Sequence, residues 1–328
     1  MSAVAPGADI GEDVPRQIAS RPTAGDRLFR IVATAATSAS FLIVILTFVF
    51  LVRRAWPALQ SSGVGSFFTT SVWGPAVGRF GVEGLLLGSI VIASVALLVG
   101  VPMSLAMALF INEYAPARVR SVLTGTIDLL AALPSLLFGI WGAYALQPLL
   151  LPMARWASDH LYAIPFLRTD APRGRLDQFT QSSFVAGVVV GLMVIPIITS
   201  VSRDVMAQVP REQCEGALAL GGTRWGMIRT VILPFGRSGI IGSIVLGFGR
   251  ALGETIAVAL IIKATVDVNW DLLLSGQGSI PAYIVTKFSE AGSDEINGLV
   301  GAGLALFVVT FLVNLAARVI VNRTAVRA

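Results

Sequence analysis

The sequence predicts an all-α integral membrane protein with six transmembrane helices. Hydrophobic residues make up 55% of the 328 and charged residues only 13%, where ordinary globular chains carry about 25% charged residues. Several apolar runs exceed ~18 residues, the length that crosses a bilayer. Polar segments with their own turn and capping residues separate those runs, as they must in a chain that crosses repeatedly.

Each element follows from this pattern. Residues 1–30 are polar, with Pro6, Gly7, Gly11 and Pro15, and read as a disordered tail. The first span covers about Ile31 to Val52. It is too long for a signal-peptide core, and Arg53 and Arg54 follow it rather than a small-residue cleavage site, so it is retained. A Gly-, Ser- and aromatic-rich connector completes the segment 31–82, with Trp56 and Trp73 suited to the membrane interface. The second span runs from about Gly84 to Phe110, with Gly84 and Gly88 as a small-residue packing face and Pro102 inside it. Asn112, Glu113, Arg118 and Arg120 mark a short polar turn. The third span, about Ile127 to Leu149, is expected to break at Pro134-Ser135, while Gly139 and Gly142 allow close approach. A polar loop over 154–182 contains Pro165 and Pro172. The fourth span is about Phe184 to Val201, with Gly187 and Gly191 for packing and Pro196 as a break. The fifth is about Gly239 to Ile262 and the sixth about Gly298 to Ile320. Residues 83–320 thus hold five spans, and 321–328 form a second tail.

Composition excludes several functions. One cysteine, Cys214, permits no internal disulfide, and one histidine, His160, leaves too few ligands for a Cys/His zinc site or a His-based catalytic triad. No GxxxxGK[ST] run is present, so any ATP that drives the protein is bound elsewhere. The formal net charge is +5, yet the basic residues lie scattered between apolar runs, which reads as topology rather than as a nucleic-acid surface. An even number of spans puts both ends on one side. Lys and Arg number 14 on the side holding the termini and the polar segment 203–237, and 9 on the other, with Arg250 within a span. That bias places both termini and this segment in the cytoplasm, although Arg53-Arg54 runs against it.

Two groups of residues carry the functional reading. The fifth span, GSIVLGFGRALGETIAVALII, holds Arg250 and Glu254. A charge at the centre of a membrane helix costs about 2.5–3.5 kcal/mol, so neither is expected to face lipid. Four residues apart, they would share a helix face, with Gly247, Gly249 and Gly253 leaving room beside them. A planar guanidinium suits a phosphate or sulfate oxyanion. Arg250 then lines an anion pathway and Glu254 restrains it; the alternative is an ion pair that only holds helices in register. Arg before Glu is the weaker order for an intrahelical pair, which leans towards contacts with other helices or substrate. Asp128, Glu113, Ser135, Thr199 and Ser200 are expected in end, capping or packing roles. An enzyme built on Glu254, Asp128 and Arg250 would lack a His partner.

The second group is RDVMAQVPREQCEGALALGGTRWGMIRTVILPFGR, residues 203–237. Pro210 suits the first position of a helix, where no amide bond is lost, and Glu212 and Glu215 favour its positive end. Gly221 and Gly222 can end that helix in a left-handed cap. Thr223 can cap a second short helix running to Val231, closed by Leu233-Pro234. The product is a two-helix knob at one membrane face.

In this knob Glu215-Gly216-Ala217, then Gly221 after three intervening residues, then Val231-Ile232-Leu233-Pro234 after nine more, resembles the EAA loop of ABC importer permeases. Gly216 and Val231 depart from that pattern by small changes. The resemblance implies a type I ABC importer permease fold whose cytoplasmic EAA coupling loop docks on an ATPase subunit. Further matches are Trp73-Gly74-Pro75 with Phe80-Gly81, Glu113-Tyr114-Ala115-Pro116, Pro134-Ser135 with Gly139-Ile140-Trp141-Gly142, Pro196-Ile197-Ile198-Thr199-Ser200, Leu233 to Ile240, and Gly249 to Thr255. In that order, over roughly residues 70–320, they resemble the PstC-type permeases of phosphate-specific ABC importers. The resemblance implies inorganic phosphate as cargo, moved across the cytoplasmic membrane of a prokaryote by alternating access. It also implies a PstA-type permease partner, a PstB-type ATPase dimer carrying ATP and Mg, and a PstS-type phosphate-binding protein. This chain itself would bind no cofactor. A molybdate or sulfate permease shares the knob and suits Arg250 equally.

Overall fold

The computed structural model describes residues 23–161, 163–169, 176–263 and 265–325. Most of the tail expected over 1–30, Pro172 of the third connector and Arg327 lie outside the described residues. The described chain is helical, and six of its helical stretches are long and apolar enough to cross a membrane. It divides into two compact units, one ending at Val49 and one beginning at Phe50.

The first unit is the leading part of α1 (Ala24–Ser62), which begins seven residues before the expected start at Ile31. A reciprocal box explains the early start. Thr23 Oγ1 accepts from Asp26 N at 3.3 Å, and Asp26 Oδ2 accepts from Thr23 N at 2.9 Å, so two orphan amide donors are satisfied at once. Thr34, Thr37 and Ser40 return their hydroxyl protons to carbonyls four residues back, so the apolar stretch presents no open polar group from them.

The second unit holds the remaining elements: α2 (Val64–Thr69), a two-stranded antiparallel hairpin of β1 (Trp73–Gly74) and β2 (Arg79–Phe80), α3 (Glu83–Leu109), α4 (Ala117–Ala132), α5 (Ser135–Trp141), α6 (Gln147–His160), α7 (Ser183–Met206), α8 (Arg211–Ala219), α9 (Arg224–Met227), α10 (Leu233–Leu252), α11 (Ile256–Ile261), α12 (Ile280–Lys287) and α13 (Ser293–Ala325). At its centre α3 packs against α7. Within a bilayer no hydrophobic force drives two helices together, so close approach through small residues does so instead. A Cβ on Gly187 would stand 2.5 Å from Val95 Cβ, and one on Gly191 would stand 3.0 Å from Ala96 O. The main core follows this seam through Ile92, Ala93, Ala96, Val189, Val190, Val194 and Ile198. Helix α10 joins it where Gly247 admits the end of Ile198 and Gly239 admits Val205.

Three expectations need correction. Gly84 and Gly88 do approach a neighbour closely, but it is the backbone of the 265–278 loop: a Cβ on Gly88 would meet Gly278 O. Pro196 does not break its span, since α7 is continuous through it, as α3 is through Pro102. Pro134 does break its own, and it moves the third span. The residue before a proline avoids helical ψ, and Leu133 is extended at ψ 133. Ile127 to Ala132 therefore belong to α4, and the third membrane-length stretch runs from Ser135 to His160. Single π turns punctuate the long helical stretches, among them Phe110–Tyr114 and Gly142–Leu146.

Candidate functional site: a polar knob and a charged helix break

The knob lies at the end of the bundle where α3 finishes and α7 hands over to α8. Pro210 is the residue just before the helix, and α8 ends in a paired cap. Gly221 N–H donates to Leu218 O at 3.0 Å and Gly222 N–H to Ala217 O at 3.2 Å. This is the Schellman arrangement, which needs a left-handed residue; Gly221 supplies it at φ +84. Thr223 Oγ1 then accepts from Gly226 N at 3.1 Å and starts α9. One expectation fails here. Leu233-Pro234 does not close the second arm. A π turn over Ile228–Ile232 lets Leu233 N–H reach Ile228 O, and Pro234, in the first turn of α10, needs no donor of its own. Helical structure therefore runs unbroken from Arg224 to Leu252, and the knob's second arm is the end of the fifth span itself.

Burial divides the knob into two faces. Met206, Val209, Met227, Ile228, Ile232 and Ile240 form a core with Ala108 of α3, and Cys214, Ala217 and Leu233 pack against it. Polar ties fix the same side: Arg224 Nη1 donates to Glu113 O at 3.3 Å, and Asn112 Nδ2 to Arg203 O at 2.9 Å. Burial pushes the Cys214 thiol above its ordinary pKa, and the nearby Glu113 and Glu215 carboxylates add to the effect. The other face is open. Glu215, Gly216, Gly221 and Pro234 are exposed, a Cβ on Gly216 or Gly221 would meet nothing within 4 Å, and Leu220 is 91% exposed beside exposed Leu218 and Trp225. An exposed apolar tip ringed by charge is what a docking knob offers.

The second group sits where α10 stops. Leu252 is its last residue, Gly253, Glu254 and Thr255 are not helical, and α11 begins at Ile256. Arg250 and Glu254 thus do not lie on one continuous helix face as the sequence suggests; they pair across a break. Arg250 Nη2 lies 3.8 Å from Glu254 Oε2. Glu254 Oε1 also accepts from Ala257 N at 3.4 Å, so the carboxylate helps start α11. Their surroundings differ: the Glu254 side chain is 4% exposed and the Arg250 side chain 45%. Gly249, one residue before Arg250, has nothing within 4 Å of where its Cβ would be, whereas Gly247 is closed against Ile198. The arginine therefore reaches into open space while the glutamate is held in the protein. A groove of about 520 Å³ opens beside the break, with Gly253 and Thr255 on one wall and Ile284, Val285 and Phe288 on the other.

Sequence reasoning missed the polar contacts between helices. Ser202 and Ser243 share a buried hydroxyl contact at 2.8 Å, and Ser104 Oγ, which donates to Gly100 O of its own helix at 2.6 Å, also lies 3.2 Å from Ile195 O of α7. Thr199, expected in an end, capping or packing role, gives its proton to Ser104 O at 3.4 Å, within the packed core. Single serines in apolar runs carry no spacing signal that would have marked these pairs.

Residues 100–326 match the family described as binding-protein-dependent transport system inner membrane component. Phosphate transport system permease protein PstC 2 of Mycobacterium tuberculosis is 38% identical, over 90% of this chain and 91% of that protein. PstC of Xylella fastidiosa is 36% identical over 92% of each chain. Probable PstC of Methanocaldococcus jannaschii is 35% identical over 88% of this chain and 90% of that one. Among solved structures, a bacterial alginate ABC transporter in complex with an alginate pentasaccharide-bound periplasmic protein aligns at TM-score 0.59, with 16% identity, over 89% of this chain and 93% of that chain. A bacterial ABC transporter involved in the import of alginate aligns at 0.57, with 18% identity, over 90% and 99%. At such identities these two speak for the fold alone. With six membrane-length helices, a match over most of its length and relatives aligned nearly end to end, the chain belongs to the inner-membrane components of binding-protein-dependent transport systems and, among them, to the PstC-type permeases.

Proposed function

We propose that the chain is the transmembrane permease subunit of an ATP-driven importer that moves inorganic phosphate across the cytoplasmic membrane by alternating access. The observation that carries this is the alignment, over nine-tenths of the chain, with proteins named as phosphate transport permeases. The same alignment favours phosphate over molybdate or sulfate, and a transport subunit over an enzyme. The knob is the coupling element: Glu215, Gly216, Ala217, Gly221, Leu233 and Pro234 present it to a groove on a PstB-type ATPase dimer, where ATP and Mg²⁺ are held. Because its second arm continues into the fifth span, a displacement of the knob passes to α10 as a rigid rod. Both termini and the knob face the cytoplasm. A PstA-type permease completes the pathway, and a PstS-type binding protein delivers phosphate to the opposite face. Arg250 lines the pathway with its open guanidinium, and Glu254 holds that guanidinium at the break.

Reconstitution into proteoliposomes tests the proposal. Phosphate uptake should require internal ATP, the ATPase and the binding protein together. Uptake that persists without nucleotide, or ATPase activity that ignores the phosphate-loaded binding protein, would refute it.

A further inference from the structure

A polar pocket lies at the end of the second unit opposite the knob, near the start of α3. Its volume is about 230 Å³, and Ser61, Ser62, Ser66, Thr70 and Arg79 line it over Phe80. A water molecule occupies about 30 Å³ of liquid, so the pocket has room for a tetrahedral oxyanion and several waters. No carboxylate lines it. Arg79 is exposed and, among the described residues, makes no ion pair or side-chain hydrogen bond.

The hydroxyl groups fall into two kinds. Ser61 gives its proton to Gly78 O at 2.7 Å, and Thr70 gives its proton to Ser66 O at 2.8 Å. Their oxygens are left with lone pairs only, so they can accept but not donate. Ser62 Oγ accepts from Phe80 N at 2.8 Å and keeps its proton free, and Ser66 Oγ is uncommitted among the described residues. The pocket therefore offers a guanidinium fork and two hydroxyl donors beside two acceptor-only oxygens. Donors suit any oxyanion. The acceptors suit one that still carries a proton. Phosphate at neutral pH has a P–OH group; sulfate has none, and neither does the phosphodiester of a lipid headgroup.

We infer that this pocket is a binding site for a protonated tetrahedral oxyanion of the phosphate class, centred on Arg79. Its use as a waiting site for cargo rests on the transport reading above; the binding itself does not.

The test uses the full-length chain, purified as it assembles in its membrane and held in micelles free of phospholipid. Arginines are modified with phenylglyoxal, and the fraction modified is read at Arg79 and at Arg229, a control in the knob, by peptide mass spectrometry. Inorganic phosphate at ten times its Kd should slow modification of Arg79 about tenfold and leave Arg229 unchanged. Sulfate should protect several-fold less, and Ser66→Ala should weaken the phosphate protection. Because the readout is binding, it is independent of ATP and of uptake, so loss of transport in reconstitution would leave it standing. No protection, equal protection by sulfate, or protection by phosphatidylglycerol alone would overturn the inference.

Discussion

The charges at the helix break can be removed one at a time, and doing so separates two roles for Arg250. Arg250→Gln removes the positive group 3.8 Å from Glu254 Oε2 and leaves the buried carboxylate one long contact, with Ala257 N at 3.4 Å. At an effective dielectric near 20, a pair at this separation interacts by about 4 kcal/mol. The guanidinium is nearly half exposed, so screening reduces the expected loss to about 1–2 kcal/mol. Thermal unfolding of the purified complex should shift down by a few degrees, and phosphate uptake in proteoliposomes should fall well beyond what that shift explains. Adding Glu254→Gln removes the uncompensated charge, and most of the lost stability should return. On the proposed pathway role uptake should not return with it, because Arg250 is the group assigned to meet the anion. If the double variant recovers uptake together with stability, the pair serves only to hold helices in register and the pathway assignment is wrong. If Arg250→Gln leaves stability untouched, the energetic argument fails as well.

Four further outcomes follow from the geometry. Glu215→Lys reverses a charge on the exposed face of the knob without touching its core, so uptake should be lost while the chain still inserts and co-purifies with its permease partner; normal uptake would count against docking there. Gly221→Val forces a β-branched residue to φ +84 and should weaken ATPase co-purification by about 1–2 kcal/mol or more, whereas Gly221→Asn should be milder. Gly187→Ala would place a methyl group 2.5 Å from Val95 Cβ and should destabilise the α3–α7 seam by about 1–3 kcal/mol, measured as a lowered melting temperature. The raised Cys214 pKa means less thiolate at any given pH, so maleimide labelling should reach its half-maximal rate at a higher pH than for a free thiol; Glu215→Gln removes one of the causes and should move that midpoint down.

How much of this was legible in the sequence depends on which physical rule governs each residue. The number of spans was readable because bilayer thickness imposes a length that apolar runs must meet. The knob's turn was readable because Gly221, Gly222 and Thr223 each satisfy a local backbone need that neighbours in the chain supply. Places where local signals compete were misread. Pro234, Pro196 and Pro134 look alike as breakers, yet one follows a π turn, one sits in an unbroken helix, and only the third forces its predecessor to extend. The difference lies in what surrounds each proline, which is information held between helices. The charge pair shows the same limit: four-residue spacing predicts a shared face only while the helix lasts, and it ends at Leu252. The break changes the meaning of the pair. On a continuous helix both groups would have projected together into one environment. Across the break the carboxylate turns inward and starts a new helix, while the guanidinium keeps its open side. An asymmetric pair of this kind fixes a positive group without neutralising its accessible face, as a pathway for an anion requires.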